Sequence, residues 1–247
     1  MGEDPMSRLE MQVPARFNGP PGSGNGGWSA GTLAELVGAQ ADPVDAHGDP
    51  VVTVQLRRPP PLDTGMQVRT EGGWTLALDP QGETVLRARL GDPDPEPVPP
   101  VDAVTARAAQ AAYPGLREHP FATCFSCGTE REPGDGLRIY PGPVEPVDGA
   151  ARVAATWTPD APVDLPTTWA ALDCAGAWAL DIGARLLVLG QVTTRVHRRP
   201  RAGVEHVVVA LAGPVEGRKH HARTSLYDDA GLLACTEQVW FDVPAAP

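Results

Sequence analysis

Positive charge is scarce in this sequence. Against 31 Asp and Glu stand 20 Lys and Arg, a formal net charge of −11 at pH 7. That balance excludes a general nucleic-acid binder, because a phosphate backbone is held by a net positive surface. Lysine is almost missing: Lys219 is the single one, and the other strongly basic residues are arginines. This is a compositional bias and carries no functional information. Cysteine is sparse too. Four residues (Cys124, Cys127, Cys174 and Cys235) in 247 do not make a disulfide scaffold. Long apolar runs are missing: the most apolar stretch, Trp169 to Leu189, is broken by Asp173, Asp181 and Arg185, so it does not read as a membrane span. "MGEDPMSRLEMQVP" has no apolar core of the kind a secretion signal needs, so the expected location is the cytoplasm. No metal site is expected either. Cys124 and Cys127 form one Cys-x-x-Cys without a second pair, whereas structural zinc takes four ligands. The pair reads as two small apolar side chains, and His119, His220 and His221 could complete a set only by folding together.

What is present is 42% hydrophobic residues, enough to bury a real core, in a length of 247 that suits one large domain or two small ones. Residues 1–15 are expected to be extended or disordered. The clearest boundary is "GDPDPEPVPPVDAV", Gly91 to Val104, whose Pro and Asp content predicts an extended, solvated linker before a short helix over roughly Ala103 to Ala112. Each side of it shows the same order of signals. In the first half a glycine run, "RFNGPPGSGNGGWSAG", leads into an apolar helix from Trp28 to Val37, then strand-like runs "PVVTVQLRRP", "GMQVRTEGG", "WTLALDPQG" and "ETVLRARL". In the second, "GLRIYPG" and "ARVAATWTPD" precede a helix from about Trp169 to Leu187, followed by "QVTTRVHRRP", "VEHVVVALAGPVEG", "KHHARTSLYDDAG" and "LLACTEQVWFDV". "VTVQLRRPPP" from Val52 matches "VTTRVHRRPR" from Val192, and "LALDPQGETVLRARL" echoes "TSLYDDAGLLACTEQVW". The spacing predicts a duplicated unit of helix followed by antiparallel sheet.

This order of elements, with "CFSCG", "GLRIY" and the closing "ARTSLYDDAGLLACTEQVWF", resembles the hotdog-fold thioesterases of the phenylacetate-pathway and 4-hydroxybenzoyl-CoA types. The resemblance implies an α+β chain of two tandem hotdog units, each a central helix wrapped by an antiparallel β-sheet, packed as a pseudo-dimer. The units are expected at 16–92 and 119–247, joined by a Pro-rich linker with a short helix at 93–118. The family carries His-Gly-Gly at the start of its helix and a carboxylate about two turns further in. Here Asn25-Gly26-Gly27 stands in the first half, while the acid position holds Ala34. In the second half Leu172-Asp173 fits the acid pair, while Asp164-Leu165-Pro166 stands where the glycines would be. Each half keeps what the other has lost, so one composite site is expected.

The residues suit thioester chemistry. Unpaired N–H groups at a helix N-terminus, with glycines that admit close approach, make Gly26 and Gly27 an oxyanion candidate beside Asn25. Asp173 shares an apolar helical stripe with Trp169, Gly176 and Leu180, which predicts a raised pKa suited to acid/base work. Trp28 and Trp169 are candidates for an acyl pocket or for plain core packing. Arg198, Arg199 and Arg201 are candidates for coenzyme A phosphates, with a charged, solvated edge strand as the other reading. Glu35 lies about 100° round the helix from Ala34, which counts against a second acid. Ser23 and Ser29 lack a nucleophile-elbow setting. The expected substrate is an acyl-CoA or acyl-carrier-protein thioester, with coenzyme A present only as part of it and no separate cofactor. A non-catalytic acyl-binding protein and a hotdog hydratase or dehydratase remain open, as do a monomeric pseudo-dimer and a homodimer.

Overall fold

The computed structural model describes residues 9–39, 48–91 and 93–243. Residues 1–8 of the expected N-terminal segment and Asp92 at the expected first boundary lie outside the described residues. The elements run β1 (Glu10–Met11), α1 (Gly26–Gly38), β2 (Val52–Leu56), β3 (Met66–Glu71), β4 (Trp74–Leu78), β5 (Thr84–Leu90), α2 (Ala103–Ala109), β6 (Gly142–Val147), β7 (Ala150–Trp157), α3 (Leu165–Ala179), β8 (Leu187–Val196), β9 (His206–Glu216), β10 (Lys219–Asp228) and β11 (Gly231–Asp242). Among the described residues the strands make one 11-stranded sheet in the order β1-β3-β4-β5-β2-β8-β11-β10-β9-β7-β6. All of its pairings are antiparallel.

The middle of the sheet is the junction of β2 and β8, the two strands that carry the sequence repeat. Val52 pairs with Thr194, Thr53 with Thr193, and Val54 with Val192. The hydroxyls of Thr53 and Thr193 lie 2.9 Å apart across that seam. On either side, the strand order reads outward as β5-β4-β3 and as β11-β10-β9.

Two helices pack against this sheet and against each other. α1 is poor in helix formers, with four glycines in 13 residues. It is held by tertiary burial instead: Ala30, Leu33, Ala34 and Val37 enter the core. α3 starts earlier than the sequence pattern indicates, because Asp164 caps it by accepting from the Thr167 N–H and Pro166 sits in its first turn. It also ends earlier, at Ala179. Asp181 adopts a positive φ of 61° and a tight turn follows, freeing Leu187 to open β8. The crossing of α1 and α3 is close. A Cβ on Gly27 would stand 2.6 Å from the Trp169 carbonyl oxygen, and one on Gly31 would stand 2.7 Å from Pro166 Cα.

Two expectations need correction. "GLRIY" is not a strand; it runs along the cysteine loop, with Leu137 N–H donating to Phe125 O and Ile139 N–H to Ser126 O. The Pro-rich stretch is extended but not simply solvated. Val98 is fully buried, its N–H donates to Ser225 Oγ, and its carbonyl accepts from Tyr227 Oη. With Ala106 of α2 it covers Ala154, Val207, Val209 and Leu211 on the sheet face opposite α3. That explains why β9 reads as an unbroken apolar run: "HVVVAL" is buried on both faces.

Candidate active site

Asn25 organises the site. Its Oδ1 caps α1 by accepting from the Trp28 N–H at 2.8 Å. This fixes the amide's orientation, so both Nδ2 hydrogens point away from the helix. One goes to Asp173 Oδ2 at 2.9 Å, the other to Ser126 Oγ at 3.2 Å. Ser126 in turn donates to the Ala170 carbonyl of α3 at 2.7 Å. Gly27 N–H also donates to Asp173 Oδ2, at 3.0 Å. The N-terminus of α1 therefore grips one oxygen of a carboxylate in the middle of α3.

The other oxygen, Oδ1, is buried and has no hydrogen-bond partner among the described residues. Burial pushes the Asp173 carboxyl up to about 7; the Gly27 N–H pulls against this, the Cys124 charge adds to the rise, and the Asn25 amide opposes it. Gln238 steadies the helix here. Its Nε2 donates to the carbonyls of Leu172 and Asp173, and its Oε1 accepts from Trp240 Nε1.

Asn25, Gly26 and Asp173 line a cavity of about 1040 Å³. Its walls are largely apolar, with Leu56, Phe121, Trp178, Ile182, Leu189 and Phe241 among them. Arg57, Arg58, Lys219 and His221 bring basic groups to it. Gly27 N–H is taken by Asp173, so it is not an open donor as the sequence pattern suggested. Among the described residues the Gly26 N–H at the first helical position finds no acceptor, and Gly26 lines the cavity.

Cys124, Cys127 and Cys174 form part of the same wall. Donation from Cys127 and then Cys174, against burial, holds the Cys124 thiol well below its usual range. Burial and then the Cys124 contact push Cys127 up; contacts with Cys124 and Cys127 push Cys174 up.

At the level of sequence, no family model matches the chain and no curated protein matches it. Solved structures do. An acyl-CoA thioesterase II from Mycobacterium marinum superposes with a TM-score of 0.59 at 14% identity, covering 91% of this chain and 92% of that one. A tesB protein from Mycobacterium avium subsp. paratuberculosis gives 0.60 at 14% identity over 98% and 96%. A protein described as having a hot dog fold, from Alicyclobacillus acidocaldarius, gives 0.60 at 15% identity over 96% and 93%.

The chain has the hotdog fold. In this hotdog framework, Asn25, Gly26, Gly27 and Asp173 meet although nearly 150 residues separate the acid from the glycines. The other sequence candidates lie elsewhere. Trp28 stacks on Phe17 with ring centroids 4.1 Å apart and does not line the large cavity. Trp169 packs on Gly27 and Gly31 and lines a second cavity of about 230 Å³. Arg198 is paired with Asp228 and Arg199 with Asp49; neither these nor Arg201 line the large cavity. In the matched segments Arg58 stands where Arg198 does, and of the two it is Arg58 that lines the large cavity. Glu35 lines only the small one. Sequence reasoning missed Ser126, Cys174 and Gln238, because each acts through a partner distant in the chain. The one available signal was that Ser126 stands inside the "CFSCG" motif.

Proposed function

We propose that this chain binds and cleaves an acyl thioester, of coenzyme A or a carrier protein, at one composite site between two hotdog units fused as a pseudo-dimer. The observation that carries the reading is the Asp173 carboxylate: buried at the wall of a large apolar cavity, held through Oδ2 by Asn25 and Gly27, with Oδ1 left without a partner. A buried carboxylate oxygen without a donor is costly unless a ligand or water supplies one. The composite arrangement is supported by the seam, where repeat-matched residues pair about Thr53 and Thr193. On this reading the units are 16–92 and 119–247, and 93–118 joins them.

The chemistry follows from the groups present. Asp173 Oδ1 takes a proton from a water, and the water oxygen attacks the thioester carbonyl carbon. The Gly26 N–H, at the positive end of α1, faces the developing oxyanion. The C–S bond breaks and the departing sulfur recovers the proton from Asp173. The apolar walls take the acyl chain, and Arg57, Arg58 and Lys219 suit the phosphates of a coenzyme A or phosphopantetheine carrier. Asn25 cannot exchange protons, which disfavours a hydratase relying on a His at that position. The test is hydrolysis of a panel of acyl-CoA esters of different chain length and aromaticity. Wild type is expected to cleave a subset and Asp173→Asn to bind that subset without turnover. Undiminished hydrolysis by Asp173→Asn would sink the reading; binding without turnover by wild type would favour a pure acyl-binding role.

A further inference from the structure

The structure adds to the Cys-x-x-Cys pair a third cysteine that no spacing rule could have supplied. Cys124 and Cys127 lie in the loop before β6, and Cys174 comes from α3, next to Asp173. The three Sγ atoms all lie within 4.8 Å of one another, with Cys124 and Cys174 3.5 Å apart. Zinc–sulfur bonds of about 2.3 Å in a tetrahedral site place neighbouring sulfurs about 3.8 Å apart, close to the 3.5 Å between Cys124 and Cys174 and inside the 4.8 Å that bounds all three spacings.

The loop that carries Cys124 and Cys127 is a tight turn packed against α3, with Ser126 Oγ donating to the Ala170 carbonyl at 2.7 Å. The turn is closed by Gly128 N–H donating to the Cys124 carbonyl at 2.8 Å. A Cβ on Gly128 would stand 2.5 Å from the carbonyl oxygens of Ala122 and Cys124, so the residue after the second cysteine must be glycine. The Asn25 Nδ2 amide, whose two hydrogens go to Asp173 and Ser126, also lies 3.7 Å from Cys124 Sγ and 4.0 Å from Cys174 Sγ. His119 does not complete the set. Its Nδ1 accepts from the Phe121 N–H at 2.9 Å, which leaves Nε2–H to donate to the Cys127 carbonyl at 3.1 Å. The remaining side of the cluster is the cavity, which all three cysteines line.

We infer that Cys124, Cys127 and Cys174 form a three-thiolate site for a thiophilic divalent cation of the zinc type, with the fourth coordination position facing the cavity. Thiolates suit such ions, and an open fourth position is what separates a reactive site from a closed structural one. The inference does not depend on the thioester reading, since the ligands, the turn and the spacing stand without it.

The full-length chain, reduced and stripped with a chelator, is titrated with Zn²⁺ and separately with Co²⁺. Wild type is expected to retain one zinc per chain through desalting, by elemental analysis. Its Co²⁺ complex is expected to show thiolate-to-metal charge-transfer and intense tetrahedral d–d bands. Cys174→Ser should weaken zinc by at least the ~10–100-fold that loss of even an outer-shell partner costs. Cys235→Ser, whose thiol donates instead to the Pro95 carbonyl, should bind as wild type. Circular dichroism checks that each variant folds, and Cys174→Ala replaces the serine variant if that one does not. The inference is overturned if reduced wild type retains no zinc, if the Co²⁺ spectrum is octahedral and lacks charge transfer, or if folded Cys174 variants bind zinc as wild type does. A Cys124–Cys174 disulfide in the isolated protein, with no zinc uptake after reduction, overturns it equally.

Discussion

Asn25 does two jobs through one side chain, and two substitutions separate them. Asn25→Ala removes the cap on α1, worth ~1 kcal/mol. It also removes the Nδ2 donor to a buried carboxylate, worth about 1.5–3 kcal/mol for a bond to a charged group. The sum is roughly 2.5–4 kcal/mol, which in a protein of this size lowers Tm by roughly 5–16 °C. Asn25→Ser keeps a short oxygen at the N-cap that can accept from the Trp28 N–H, so about 1 kcal/mol, or roughly 2–4 °C, should return. Neither variant can reach Asp173 Oδ2, which is left with the Gly27 N–H alone. The carboxylate then loses its orientation, and a displacement on the order of 1 Å costs ~100-fold in turnover. The assay pairs thermal unfolding by circular dichroism with acyl-CoA hydrolysis. Serine should rescue stability in part and activity not at all. Wild-type turnover in Asn25→Ser would mean that Asn25 is only a cap. Equal Tm for serine and alanine would mean that the cap contributes nothing.

The remaining predictions concern the same crossing and the cavity mouth. In chelator-treated, metal-free protein, Asp173 has a folded pKa raised from 3.8 to about 7. Its contribution to stability is therefore complete below about pH 4 and lost as pH rises through about 7, while hydrolysis rises over the upper part of that window. Denaturation of wild type and Asp173→Asn from about pH 4 to about pH 8 should diverge in favour of Asn; parallel curves would refute the shift. Gly27→Ala drives a Cβ into the Trp169 carbonyl and the Asp173 Cβ, and should cost ~1–3 kcal/mol of stability by denaturant titration together with most activity. Gly176→Ala meets Gln238 Oε1 and should destabilise by a similar ~1–3 kcal/mol. The double variant Arg57→Ala/Arg58→Ala should raise KM for acyl-CoA in a salt-dependent way and leave KM for a thioester lacking phosphates unchanged.

The parts of the fold written locally were legible in the sequence. Alternation in "VTVQL" and "ARVAATW" announced strands, and the Asn-Gly-Gly run before an apolar stripe announced the start of α1. The two segments that meet at the middle of the sheet were legible as a matched pair, because both carry "VT" and an arginine pair. What failed depended on contacts made elsewhere. "GLRIY" alternates like a strand, yet its backbone partners lie in the cysteine loop. "GDPDPEPVPP" reads as solvated, yet the sheet face beneath it carries Val207 and Val209 and needs a cover. Arg198 and Arg199 looked like phosphate ligands by composition alone; which copy of a repeat faces a cavity is a property of the packing and not of the segment.

Matching the two copies nine residues back from the acid position shows why the two ends of the α1–α3 crossing differ. Gly27 at the second helical position of α1 corresponds to Pro166 at the second helical position of α3. Gly27 offers an N–H to Asp173; Pro166 has none to offer, and what stands where the acid would be is Ala34. Donor and acceptor are thus missing together. That is the physically consistent outcome, since a buried carboxylate facing a proline would have lost a charge-assisted hydrogen bond with nothing to replace it. The cavity at that end is correspondingly small, about 230 Å³ against about 1040 Å³. On the proposed reading of two fused units, each is free to diverge within one chain, so one end can keep the carboxylate and its donors while the other settles into packing.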